Sequence, residues 1–360
     1  MTDRTGITNI KVKRKQKLSK VGFFRILALV ATVSSIYIFA PWQAAFYYFS
    51  PLPATVQEHV NEATDSELDG IIVYTQTAAE EGRLYASGWH NRDKQIPAYP
   101  EALFKIASIG KLYNASALTK LVAMGKLDLD KTLAEYLPFL VDRIEYANKI
   151  TLRMMVQHRS GIPNYTDHEG FSWSQQSIGV DDNLQLVLDT PASFEPNTDY
   201  GYSNTNYLLL SKIMTKVLGY DHNEFIKQAI LSPLGLTRTY LSMNEVDLPQ
   251  LMSGYYIGYD DDFKTLDQGF VASAKDVGIF LRALNDGSLL TEKEQKIYSS
   301  IYEYEHTGWV LGYYSIARYH ADIDSVVIQF VNTVGDNTLT FADAVYSRGV
   351  DVLRTQIAEP

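Results

Sequence analysis

Three short clusters carry side chains able to do chemistry on a carbonyl. Ser108-Ile109-Gly110-Lys111 sets a hydroxyl and an amine three residues apart, on one face if the segment is helical. A serine is a weak nucleophile until a neighbour removes its proton, and a neutral lysine can do so. Burial is needed to bring a lysine to that state. Tyr202-Ser203-Asn204 stands at the start of a helical pattern. A tyrosine beside two cations can become a phenolate and shuttle protons, and an asparagine can hold a carbonyl. Equally, Tyr202 could pack and Asn204 cap the helix. His306-Thr307-Gly308 opens a late strand, where a glycine admits close approach and backbone N–H groups can face an acyl oxygen. Taken singly, none decides. Tyr146-Ala147-Asn148 and His168-Glu169-Gly170 repeat the second and third patterns by chance.

These clusters need elements to position them. Residues 104–126 have helical spacing, with Leu112, Ala115, Leu118, Thr119 and Val122 on one face. Further helical patterns cover 150–158, 183–190, 205–218, 222–231, 275–286, 291–301 and 339–355. Ile71–Tyr74 and Arg83–Trp89 read as an antiparallel hairpin, and 309–319 with 324–333 as strands divided by His320-Ala321-Asp322-Ile323-Asp324. Strands at both ends around a helical middle predict one α+β domain over residues 70–360, its antiparallel sheet built from both chain ends, with a helical subdomain between.

The front of the chain is different. Eight of the 32 basic residues and one of the 42 acidic ones precede Ile26, so the remainder carries a net −17. An acidic body repels phosphate backbones, which argues against a nucleic-acid partner. Residues 26–49 hold no charge, and 21–40 are long enough to cross a bilayer. Pro41 stops this helix, and Trp42, Phe46, Tyr47, Tyr48 and Phe49 follow as an interfacial belt. The expected order is a basic cytoplasmic tail over 1–20, a single-pass anchor over 21–49, a polar tether over 50–69 that can end in a short helix, and a catalytic domain outside the membrane. A cleaved signal peptide is the competing reading.

With no cysteine among 360 residues, disulfides, thiolate metal sites and a cysteine nucleophile are excluded. The seven histidines show no H-E-x-x-H or comparable spacing, so neither a metal nor another cofactor is expected. His158 and Asp260–Asp262 read as packing and a solvated loop.

Order and surroundings give the three clusters their meaning. A helix-borne S-x-x-K, a Y-x-N in the helical middle and an H-T-G on a late strand resemble the serine β-lactamase and penicillin-binding-protein family, in its class C-like branch. Phe104-Lys105-Ile106-Ala107-Ser108 is similar to that family's F-x-I-x-S segment, and Gly125–Asp130 to its G-K-L-x-L-D loop. His158–Pro163 resembles H-T-S-G-L-P, Pro233–Leu236 P-L-G-M, and Gly269–Asp276 the G-G-x-x-S-T-x-x-D segment. The likeness runs over about residues 70–335.

It implies a β-lactamase/transpeptidase-like fold and an acyl-enzyme mechanism. Ser108 would be the nucleophile, Lys111 its base, Tyr202 the proton shuttle and Asn204 a carbonyl ligand. His306, Thr307 and Gly308 would line the site, with the backbone N–H groups of Ser108 and Trp309 as the oxyanion hole. Ser242-Met243-Asn244 offers another S-x-N but lies beyond the P-L-G-L element, where the family does not place it. The chain departs from the pattern at His306, where lactam-cleaving relatives carry lysine, and at Trp309, often glycine. A largely neutral histidine offers a substrate carboxylate no fixed charge. The interval of 104 positions from Tyr202 to His306 leaves no room for large insertions. The resemblance therefore implies a D-Ala-D-Ala carboxypeptidase, D-peptidase or esterase acting on small or peptide substrates, including peptidoglycan-derived ones. A β-lactamase and an inactive envelope-binding relative are the alternatives.

Overall fold

In the computed structural model, which describes residues 20–358 apart from Ala79, residues 176–178, Gln268 and Asp336, the two ends of the folded region meet in one sheet. Its strands are β1 (Gly70–Thr77), β2 (Arg83–Asn91), β3 (Ile96–Pro97), β8 (His306–Val310), β9 (Tyr313–His320) and β10 (Ser325–Val331), in the order β3-β2-β1-β10-β9-β8, antiparallel throughout. Between them in sequence, β4 (Leu103–Lys105), β5 (Thr239–Tyr240) and β7 (Val271–Ser273) make a small sheet, and β6 (Tyr255–Tyr256) pairs with β11 (Thr333–Val334). Alternation assigns the two faces. Ile72, Tyr74, Ile328 and Phe330 join the main core, while Ile71, Val73, Val327 and Val331 form a second cluster outside the sheet.

The helices, in chain order, are α1 (Lys20–Phe39), α2 (Trp42–Phe49), α3 (Val56–Ser66), α4 (Gly110–Ala123), α5 (Leu133–Tyr136), α6 (Leu152–Val156), α7 (Val180–Gln185), α8 (Asn204–Leu218), α9 (His222–Ile226), α10 (Ser232–Leu234), α11 (Ala274–Asn285), α12 (Glu292–Tyr298) and α13 (Thr338–Ala358). α4 is buried on nearly every side from Gly110 to Leu121, not on one face. It is the central helix against which α8 and α12 pack. Leu209, Leu210, Ile213 and Met214 give α8 its buried stripe.

Four segments differ from the sequence reading. The helix expected from residue 104 begins at Gly110, because Leu103–Lys105 pair with β7 and a 3-10 turn, Ala107–Ile109, intervenes. The strand expected over 309–319 is the hairpin β8–β9, turned at Leu311-Gly312 with Gly312 at φ +79°. His306 is thus the first residue of a strand.

The other two lie at the front. The basic tail expected over 1–20 falls, but for Lys20, outside the described residues. The anchor expected over 21–49 is two helices: α1 ends at Phe39, and α2 turns back onto the domain with Ala44 buried. α1 has no buried residue, and it alone among the described helices is long and apolar enough to cross a membrane. The polar stretch 50–69 is not a free tether. Thr55 and Glu58 form a capping box: Glu58 N donates to Thr55 Oγ1 (3.1 Å) and Thr55 N to Glu58 Oε2 (3.1 Å). α3 then buries Val56, His59, Val60 and Ala63 against the outer face of the sheet and α13. Burying one valine contributes roughly 1.5–3 kcal/mol, enough to hold a short helix in place.

Candidate active site

The nucleophile candidate sits on a strained turn. β4 delivers Ile106, whose N–H donates to the carbonyl of Phe270 (2.9 Å). Ala107 follows at φ +47°, a left-handed conformation uncommon for a residue with a Cβ. Ser108 stands in the 3-10 turn that runs into α4, and Lys111 lies one turn on. Lys111 Nζ donates to Ser108 Oγ (3.0 Å) and Asn204 Oδ1 (2.8 Å), and Ser108 Oγ shares a hydrogen bond with the Tyr202 hydroxyl (2.8 Å). Ser108, Lys111, Tyr202 and Asn204 therefore meet around one point, although 93 residues separate Lys111 from Asn204 in the chain.

Electrostatics follow from burial. Lys111 is 8% exposed and packs beneath the rings of Tyr202 and Tyr207, 5.0 and 5.4 Å from their centroids. No carboxylate is among the influences on it, and burial alone pushes its pKa from the ordinary 10.5 down to about 7. At neutral pH a large share of the amine is unprotonated and able to accept from Ser108. Burial raises the Tyr202 phenol, an effect partly offset by the bond to Ser108. This differs from the phenolate expected beside two cations: burial is the larger influence on the phenol and keeps its proton on. Burial lowers the pKa of His306 to about 4, and the imidazole is neutral at pH 7.

The loop 158–166 supports the Tyr202–Asn204 turn. The ring of His158 stacks on Tyr202 (centroids 4.4 Å apart), and its Nδ1 accepts from Ser203 N (3.1 Å). Asn164 Oδ1 accepts from Asn204 N (3.0 Å), and Asn204 Nδ2 donates to Thr166 Oγ1 (3.3 Å). Asn204 is thus spanned between Lys111 and Thr166, with one amide hydrogen left for a substrate carbonyl. Asn164, Thr166 and Tyr207 belong to no motif named above; the neighbouring segment His158–Pro163 is the sequence signal that points to them. Lys105, within the F-x-I-x-S segment, has a structural role that spacing does not show. It is buried, donates to the carbonyls of Phe263 (2.6 Å) and Leu266 (2.7 Å), and staples the loop leading to the cleft rim at Asp267.

On the opposite wall β8 is the edge strand. A Cβ on Gly308 would lie 2.2 Å from the carbonyl oxygen of Ile106 and 2.5 Å from Ser315 Oγ. Glycine here lets β8 close against the nucleophile turn itself. His306 Nδ1 contacts the carbonyl of Thr307, and its ring stacks with Tyr302 (6.1 Å, 18°). Trp309 meets Trp173 edge to face (5.1 Å), and Phe171 and Tyr165 continue this aromatic wall. The cavity in front of Ser108 has a volume of about 720 Å³ and takes in His306, Thr307 and Trp309. Among its described lining residues Lys111 is the one lysine or arginine, and Asp182 and Asp267 are the two carboxylates. Ser242 only caps its own turn, accepting from Asn244 N (3.3 Å), away from this cavity.

Residues 69–300 match the family described as Beta-lactamase. Over 191 residues the chain is 29% identical to penicillin-binding protein 4* of Bacillus subtilis (strain 168), covering 51% of this chain and 41% of that protein. It is 29% identical over 154 residues to a putative D-alanyl-D-alanine carboxypeptidase of Escherichia coli (strain K12), 41% of this chain and 36% of that one. The alignments thus span about two fifths of these curated relatives. In three dimensions it is similar to the D-amino acid amidase of Ochrobactrum anthropi SV3, with a TM-score of 0.75 and 21% identity over 84% of this chain and 98% of the amidase. That likeness shows a shared fold.

Proposed function

Because the chain belongs to the beta-lactamase family of serine hydrolases, we propose that it cleaves D-aminoacyl amides, peptides or esters through a covalent intermediate on Ser108, from a position anchored in a membrane by α1. In this reading neutral Lys111 takes the Ser108 proton as Oγ attacks the substrate carbonyl carbon. The N–H groups of Ser108 and Trp309 hold the resulting oxyanion. The Tyr202 phenol gives its proton to the leaving amine or alkoxide and is reprotonated from Lys111. Water then adds to the acyl-Ser108 carbonyl by the same relay, releasing the acid and restoring the serine.

One observation carries the substrate class. The described lining of the cavity holds two carboxylates, a neutral His306 and no lysine or arginine besides the buried Lys111, so it offers a substrate carboxylate no fixed cation. That favours substrates that are neutral or carry a free amine, in keeping with the D-amino acid amidase among the structural neighbours. A D-Ala-D-Ala carboxypeptidase, as the named E. coli relative, is the second reading. For location, α1 and the basic residues before it support a single-pass anchor with the catalytic domain outside.

Initial rates on D-phenylalanine p-nitroanilide, a peptide ending in D-Ala-D-Ala, and nitrocefin test the assignment. The anilide is expected to exceed the other two by at least tenfold in kcat/KM. His306→Lys should raise acylation by the two carboxylate-bearing substrates about tenfold, a solvent-screened charge pairing worth about 1.4 kcal/mol, and leave the anilide unchanged or slower. Fast nitrocefin turnover by the wild type, lost in His306→Lys, would make the protein a β-lactamase instead.

A further inference from the structure

α2 bridges the membrane helix and the catalytic domain, and its two sides face different surroundings. Its sequence, Trp42-Gln43-Ala44-Ala45-Phe46-Tyr47-Tyr48-Phe49, holds no charge. Ala44 and Tyr47 face the domain, and the Tyr47 ring packs on Phe341 of α13 (4.9 Å). Arg348, also on α13 and 1% exposed, receives the end of α2. Its guanidinium donates to the carbonyls of Tyr48 (3.2 Å), Ser50 (2.6 Å) and Pro51 (2.9 Å) and lies 4.7 Å from the Tyr47 ring centroid. A buried arginine committed to three backbone carbonyls is costly to displace. On the other side, Phe46 is 72% and Phe49 83% exposed, with Trp42 and Tyr48 beside them. Contiguous exposed aromatics of this kind mark an interaction surface.

The connection to α1 is equally tight. Only Ala40 and Pro41 separate the helices, and Trp42 Nε1 donates to the carbonyl of Tyr37 (2.9 Å) across the bend. A flexible tether of 20 residues would let a domain wander over about 25 Å. This junction has no such slack.

We infer that α2 is an interfacial helix, clamped to the catalytic domain by Arg348 and lying with Phe46 and Phe49 in the headgroup–acyl boundary of a phospholipid bilayer, so that the domain sits on the membrane in one orientation. The inference rests on the anchor reading of α1. The bilayer is the occupant indicated by continuity: α1 delivers α2 to the membrane surface, and an uncharged aromatic face suits that boundary.

The cysteine-free chain allows clean placement of single spin labels. Full-length protein carrying Val33→Cys on α1, Phe46→Cys or Phe49→Cys on α2, or Lys126→Cys on the domain surface is reconstituted in phosphatidylcholine vesicles. Accessibility to oxygen is then compared with accessibility to an aqueous nickel chelate. The expected oxygen-to-nickel ratio is highest at 33, intermediate and several-fold above that at 126 for positions 46 and 49, and lowest at 126. Arg348→Met should sharpen the spectra at 46 and 49 while Ser108 acylation persists; since that variant could misfold, the depth order in the parent chain stands as a separate test. A ratio at 46 and 49 equal to that at 126, with 33 in lipid, overturns the seat and leaves the anchor intact. A ratio at 33 equal to that at 126 removes the anchor and the seat together.

Discussion

Lys111→Met is expected to lower the rate of Ser108 acylation by at least a thousandfold and to leave the protein as stable as the parent or more so. The rate falls because among the described residues no other base touches Ser108 Oγ; the remaining partner, the Tyr202 phenol, holds its proton. General-base assistance is worth about 10²–10⁴-fold, and Asn204 also loses its partner when the amine goes. Stability should not fall, because a buried amine with no carboxylate beside it opposes folding whenever it must be charged. The sign is specific. The folded pKa of about 7 lies below the ordinary 10.5, so between pH 10.5 and 7 the unfolded chain takes up a proton that the native protein does not. Stability therefore drops as pH falls through that window and levels below about 7. Lys111→Met removes this contribution, about 1.4 kcal/mol per pH unit at its steepest, leaving a smaller dependence from Lys105, whose pKa burial likewise lowers to about 7. Denaturant midpoints at pH 7 and 9.5 read the difference. In the parent, kcat/KM on an uncharged ester should rise through about pH 7. A variant destabilised by more than about 3 kcal/mol that still acylates would mark Lys111 as a structural residue.

Gly308→Ala should reduce kcat/KM by at least a hundredfold. The new methyl carbon would stand 2.2 Å from the carbonyl oxygen of Ile106 and 2.5 Å from Ser315 Oγ, and the first of these is backbone that cannot rotate away. β8 must then retreat by about 1 Å from the turn carrying Ser108. A displacement of that size between reacting groups is worth about 10² in rate, and here it also moves the Trp309 N–H proposed for the oxyanion. Overpacking should cost about 1–3 kcal/mol in stability. Adding Ser315→Ala relieves only the side-chain contact, so activity should not return. Recovery in the double variant, or full activity in the single one, would show that β8 does not need this close approach.

The chemistry was legible in the sequence because the reactive side chains lie within local motifs whose order in the chain is informative. S-x-x-K needs only a helical turn to bring Lys111 to Ser108, and the strand–helix–strand arrangement was enough to bring β8 beside it. What escaped depends on distant partners. Residues 50–69 look like a tether because two prolines and many polar side chains outweigh Thr55-x-x-Glu58, although that pattern is a capping signal. The face that buries Val56 and Val60 is supplied by the outer side of the sheet and by α13, nearly 300 residues on. The β8–β9 hairpin was hidden because Leu311-Gly312 interrupts an apolar run with no polar turn residue. The protonated state of Tyr202 comes from burial, which spacing does not reveal.

The central claim is that Ser108 becomes acylated, and intact-protein mass spectrometry after exposure to a fluorophosphonate tests it most directly. Attack by Ser108 Oγ forms an oxygen–phosphorus bond and expels fluoride, leaving a stable mimic of the acyl-enzyme. One adduct per chain is expected, mapped by peptide fragmentation to the segment containing Ser108, absent in Ser108→Ala and much slower to form in Lys111→Met. No adduct on the folded parent protein, or one that persists in Ser108→Ala, would contradict the account.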